Sequence, residues 1–199
     1  MLKNDQYGRT MMEVIAVLGV IAVLGGSAIA MINKAYDNYR YSRVTDQLRV
    51  LQKNISNRFA VVGDYEELGD DLQMMDEKVI PSDMIVGRGN ARSIKHAMGG
   101  DVVVLPVTVT PEGNIRYSIE FKNLSKVACG ELLQMTWAYN DTSDLVEIQA
   151  NGKKAVWLAP VSEEGSLPVG TYRLPLRLQD AMAICTKDDR ENNIKWIFQ

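Results

Sequence analysis

Histidine is nearly absent from this 199-residue chain, which holds His96 alone, and cysteine is limited to Cys129 and Cys185. One histidine without serine or aspartate at a suggestive spacing argues against triad chemistry, and His96 reads as a solvated surface residue. Neither cysteine sits in a C-x-x-C pair or beside histidine at a ligand spacing, which argues against a zinc site. The patterns G-x-x-x-x-G-K-[ST], G-x-S-x-G and H-E-x-x-H are missing, and Gly87-Arg88-Gly89 lacks a third glycine and reads as a turn. The acidic residues Asp70, Asp71, Asp76 and Glu77 do not follow the order of a calcium loop. No enzyme, metal site or cofactor is expected.

An excess of positive charge is missing too. Twenty-two Lys plus Arg against 25 Asp plus Glu give a net charge of -3, with a pI near 5.3. That balance offers no general attraction to phosphate backbones. The local clusters, Arg88 with Arg92 and Lys95, and Lys153 with Lys154, lack interleaved aromatics and read as solvated surface. No specific nucleic-acid partner is expected. Hydrophobic content of 46% is that of a folded protein, and the length suits one domain with an appendage.

The appendage lies at the N-terminus. From Val14 to Ile32 run 19 residues without a charge, long enough as a helix to cross a hydrocarbon core of about 30 Å. Three readings stand open. With Lys3 and Arg9 as a basic region and Ala28-Ile29-Ala30 as a cleavage site, the run is a secretory signal, and a soluble binding module begins near Met31. Alternatively it is a plain membrane anchor, with Glu13 marking its polar end. The third reading is a longer helix: Val44, Leu48, Leu51, Ile55, Phe59 and Val62 continue as one stripe at spacings of three and four, and Gly63 supplies a stop. A signal peptide has no reason to continue so, nor a simple anchor to carry Gly8 and Glu13 at their spacing.

Those residues resemble a known signal. Gly8-Arg9-Thr10-Met11-Met12-Glu13 followed by the apolar run is similar to the class III leader of type IV pilin precursors. Further along, Gly63-Asp64-Tyr65, Val79 to Met84, Gly99-Gly100-Asp101-Val102-Val103-Val104, Ala183-Ile184-Cys185 and Asn193 to Phe198 resemble the type IVb branch, that of toxin-coregulated and thin conjugative pilins. The resemblance implies cleavage between Gly8 and Arg9 by a prepilin peptidase and N-methylation at Arg9, where the family usually has an apolar residue. It implies anchorage in the inner membrane, then polymerisation by an assembly ATPase and membrane platform into an extracellular filament for adhesion, aggregation or conjugation. Glu13 would neutralise the amino terminus of a neighbouring subunit and set its register. In an exported protein Cys129 and Cys185 would form a disulfide. A type II secretion pseudopilin is the nearest alternative.

The expected organisation is a leader over 1–8, a transmembrane and assembly helix over 9–33, its amphipathic continuation over 34–63, and a head over 64–199 with a cysteine-bracketed region 129–185. Within the head, Val102 to Leu105, the alternating Ile115, Tyr117, Ile119 and Phe121, and the late Ile194, Trp196 and Phe198 predict strands. Leu145 to Ile148 and Ala155 to Leu158 flank Asn151-Gly152, a hairpin signal. Val127 to Trp137 and Leu176 to Ile184 read as short helices with a cysteine at an end of each. The expected class is α+β, a long N-terminal helix packed on an antiparallel sheet.

Overall fold

The computed structural model describes residues 11–59, 65, 68–108, 115–135, 144–156, 168–187 and 190–199, without the side chains of 25–27, 30, 108 and 115. Helix α1 runs from Met11 to Phe59. The chain divides into two compact units, one ending at Arg40 and one spanning Tyr41–Gln199. In the second unit α1 buries Val44, Gln47, Leu48, Leu51, Ile55 and Phe59, positions that fall on one face at 3.6 residues per turn.

Gln47, polar by type, lies on that buried face and is satisfied twice. Its Nε2 donates to Asp83 Oδ2 at 2.7 Å, and its Oε1 accepts from the Ala97 amide at 2.8 Å. Arg43 also pairs with Asp83 at 3.0 Å, and Asn54 donates to the Val79 carbonyl at 2.9 Å. Polar bonds thus fix the helix to the loops beside it, while its apolar stripe supplies the burial.

After α1 the chain forms α2 (Asp71–Asp76), a 3-10 turn (Ser82–Met84), and a two-stranded ribbon of β1 (Ile85–Val86) and β2 (Ser93–Ile94) with a second 3-10 turn (Gly89–Ala91) between them. Asp70 caps α2, its Oδ1 accepting from the amides of Leu72 and Gln73. Other charges of this stretch pair off: Asp76 with Arg92 at 2.7 Å and Glu77 with Arg58 at 3.1 Å. The Arg92 hydrogen bond holds the Asp76 carboxyl below its ordinary range, and bonds from Gln73 and Arg58 do the same for Glu77.

The main sheet has six strands, β3 (Val102–Thr108), β4 (Ile115–Leu124), β5 (Leu145–Ala150), β6 (Lys153–Val156), β7 (Thr171–Arg173) and β8 (Asn192–Phe198), in the spatial order β3-β4-β8-β5-β6-β7. The last strand of the chain is therefore inserted at its middle. Register makes one apolar row of Val104, Ile119, Trp196, Ile148 and Ala155, all buried in the same core as the α1 stripe. The adjoining row on the other face reads Glu120, Lys195, Gln149 and Lys154. Two aromatic files cross the core: Phe59, Tyr65, Tyr117 and Phe198, with successive ring centroids 5.9, 5.0 and 5.2 Å apart, and His96, Phe121 and Trp196. Burial pushes the Tyr117 hydroxyl well above the usual tyrosine range, so it stays neutral.

The structure corrects several expectations. The sheet is mixed, because β7 pairs with β6 in parallel. The stretch 157–170 between them is long enough for the crossover that a parallel pair requires and a tight hairpin cannot make. The hairpin itself forms at Asn151-Gly152 with φ of 47° and 77°, the left-handed pair such a turn needs.

His96 is not at the surface; it is 2% exposed. Its Nε2–H donates to the Lys122 carbonyl at 2.8 Å, its Nδ1 accepts from the Met98 amide at 3.2 Å, and its ring stacks on Phe121. Both ring nitrogens are thereby satisfied in the neutral form, which makes burial affordable. Helix α3 spans Lys126–Leu133, so Cys129 sits within it rather than at an end, and α4 spans Leu178–Ile184 with Cys185 at its cap. Val62, Gly63, Trp137, Trp157 and Leu158 lie outside the described residues.

Candidate functional site

Two regions carry the sequence-predicted site residues. The first is the N-terminal part of α1. Gly8, Arg9 and Thr10 lie outside the described residues, whereas Glu13 stands in the first turn. Beyond it Val14, Ile15, Val17, Leu18, Val20, Ile21, Val23 and Leu24 are exposed. Leaving such side chains in water forgoes about 1.5–3 kcal/mol each relative to full burial, so this surface calls for cover from lipid or other chains. A Cβ added at Gly19 would meet nothing within 4 Å; the fold of the single chain gives this glycine no packing role.

Among the described residues no helix is long and apolar enough to cross a membrane. The described side chains of the run are those of 11–24, 28–29 and 31–32, and no unbroken stretch of them is by itself long enough.

The second region is the cysteine-bracketed segment. Cys129 and Cys185 form a disulfide with a Cα–Cα separation of 5.9 Å, tying α3 to α4. The two helices approach closely beside it: a Cβ at Gly130 would stand 2.8 Å from Met182 Sδ. Ser125 caps α3, its hydroxyl accepting from the Ala128 amide at 3.3 Å, which sets the helix start at Lys126, three residues before Cys129.

An asparagine cluster holds the far end of this segment and was invisible to motif reasoning. Asn192 is completely buried. Its Nδ2 donates to the carbonyls of Leu124 at 3.1 Å and Lys187 at 2.6 Å, while its Oδ1 accepts from Asn151 Nδ2 at 2.7 Å and the Lys187 amide at 3.2 Å. Every bonding position of that carboxamide is filled. Asn151 also donates to the Ile184 carbonyl at 3.1 Å and accepts from the Asn193 amide at 3.2 Å. The β5–β6 turn, the exit of α4, the end of β4 and the start of β8 are joined through these side chains. Only the Asn151-Gly152 turn signal touched this cluster in the sequence. For His96 a usable signal did exist, since Ile94 and His96 alternate with Ser93 and Lys95 and share a buried face.

Among the described residues no group of three or more His, Cys, Asp or Glu could hold a metal ion. The arrangement is mechanical: a fold braced by a disulfide and an amide network, with an apolar helix surface left uncovered.

Comparison with known proteins agrees with that character. The family described as PilS N terminal matches residues 38–198. None of the curated proteins compared with the chain matches it. Among solved structures, the crystal structure of a type IV b pilin from Salmonella typhi superposes with a TM-score of 0.53 at 16% sequence identity, covering 78% of this chain and 96% of that one. At that identity the likeness is one of fold. With well over half of its length matched, the chain belongs to the PilS N-terminal family, related to the type IV pilins, and has the fold of a type IVb pilin.

Proposed function

We infer that this chain is the structural subunit of a type IVb-like pilus. The observation that carries the reading is the division of α1: its apolar stretch Val14–Leu24 is exposed, while its stripe from Val44 to Phe59 is built into the head core. A helix of that kind offers one half for assembly and uses the other to hold the head.

In this reading residues 1–8 are removed between Gly8 and Arg9 by a prepilin peptidase. The charge-free run of 19 residues holds the precursor in the inner membrane, and an assembly ATPase with its membrane platform then transfers it into a filament. There the apolar helices cover one another, and Gly19 lets neighbours approach closely. Glu13 of one subunit neutralises the amino terminus at Arg9 of the next. Such a pair adds little over an apolar match, but an unpaired charge costs about 3–5 kcal/mol, so it favours one axial register. The filament serves adhesion, aggregation or conjugation.

Glu13→Ala is expected to give cleaved subunits that assemble poorly, by at least about tenfold in yield. N-terminal sequencing of surface protein and filament yield in this variant are the measurements. A mature start near Met31, or normal filament yield in the variant, overturns the reading.

A further inference from the structure

Beside the asparagine cluster lies a groove of about 430 Å³, lined by Lys153, Lys154, Lys187, Lys195, Glu120 and Gln149 among others. We propose that this groove binds an acidic oligosaccharide, one bearing carboxylate or sulfate groups, as a ligand site on the exposed face of the head.

The charge is the first argument. The chain as a whole carries -3, yet four lysines line one concavity with a single lining carboxylate. Lys154 pairs with Glu147 at 2.5 Å and Lys187 lies 3.9 Å from Glu191. Lys153 and Lys195 have no ion pair among the described residues, so two ammonium groups remain available to an anion.

The second argument is rigidity. Lys153 follows the Asn151-Gly152 turn directly, and Lys195 lies in the central strand β8 opposite Glu120 and Gln149. Lys187 is held through its own amide and carbonyl by buried Asn192. The backbone carrying all four lysines is thus bonded into the sheet or the amide cluster, which limits the ordering cost of binding.

The lining and size decide among anions. The volume lies in the range of small-ligand sites and is too short for a duplex, whose affinity comes from many phosphate contacts along a track. No aromatic residue lines the groove, so there is no platform for stacking unpaired bases. Glu120 opposes a continuous run of phosphates, whereas its carboxylate and the Gln149 amide oxygen can accept from sugar hydroxyls. Gln149 Nε2 is engaged with Glu147 at 2.6 Å.

The test uses the full chain in detergent and isothermal titration with four probes: a sulfated heparin tetrasaccharide, a galacturonate tetrasaccharide, neutral maltotetraose and a 20-base-pair DNA duplex. At least one acidic saccharide is expected to bind, with affinity falling as salt rises, and maltotetraose is not. Lys153→Gln with Lys195→Gln is expected to weaken binding about tenfold or more, with an unchanged thermal unfolding midpoint. Lys53→Gln, an exposed lysine on α1, should leave binding unchanged. Failure of both acidic saccharides to bind at millimolar concentration, equal loss in Lys53→Gln, or binding of the duplex alone overturns the proposal. None of these outcomes depends on whether the chain forms filaments.

Discussion

Gly100 and His96 show how much one contact can demand of a sequence. A Cβ at Gly100 would overlap both the Lys122 carbonyl oxygen and the His96 ring, because the loop turns back at Gly99, φ +87°, and its amide and carbonyl close on His96. The Gly99 amide donates to the His96 carbonyl at 2.7 Å, and the His96 amide donates to the Gly100 carbonyl at 3.0 Å. Beyond this turn Lys95 bonds Asp101 at 2.6 Å and holds that carboxyl below its ordinary range. Gly100→Ala should therefore destabilise the head by about 1–3 kcal/mol, since a carbonyl and a packed ring cannot yield as a flexible side chain would. Urea unfolding of the variant measures it; a loss within about 0.5 kcal/mol would show that the turn relaxes freely. In the sequence Gly99 and Gly100 stood out only as part of the pilin resemblance, and the need for Gly100 was not legible there, because the atoms it must clear include the carbonyl of the distant Lys122.

At the scale of elements, the helices and strands were largely legible and their partners were not. Period-3.6 apolar spacing marked the second half of α1, and strict alternation marked β4, because each pattern is local. The start of α4 was displaced by two residues and Cys129 sits inside α3 rather than at its end, since the cap at Ser125 starts α3 early and the buried Leu176 lies ahead of α4. What the cysteines do belongs to this scale. Joining α3 to α4 closes a loop with a sequence separation of 56, which restricts the unfolded chain by about 4 kcal/mol on the loop-entropy argument. The double variant Cys129→Ser with Cys185→Ser is expected to lose a comparable amount in chemical denaturation. A loss below about 1 kcal/mol would mean that packing of Gly130 against Met182 and the amide cluster alone hold the two helices.

At the scale of the molecule, the unit Tyr41–Gln199 contains the complete core cluster, the disulfide and all six strands of the main sheet. A fragment of residues 41–199 is accordingly expected to be soluble, monomeric and cooperatively folded, while the full chain associates or requires detergent through the exposed apolar stretch of α1. Size exclusion and thermal unfolding distinguish the outcomes; a fragment that aggregates or melts without cooperativity would show that α1 before Tyr41 is needed for the fold.

The sequence by itself determined the amphipathic half of α1, the strands β3, β4, β5 and β8, the hairpin turn at Asn151-Gly152, and that the two halves of the long helix have different surroundings, but it carried no signal for β1, β2 or β7. These follow from local periodicity and from an uninterrupted absence of charge. Tertiary structure alone decided that β8 lies between β4 and β5, that β7 joins in parallel, and that His96 and Asn192 are interior. The physical reason is common to all three. Each depends on which distant residues supply hydrogen-bond partners, and a buried imidazole or carboxamide is stable only where the carbonyls of Lys122, Leu124 and Lys187 meet it.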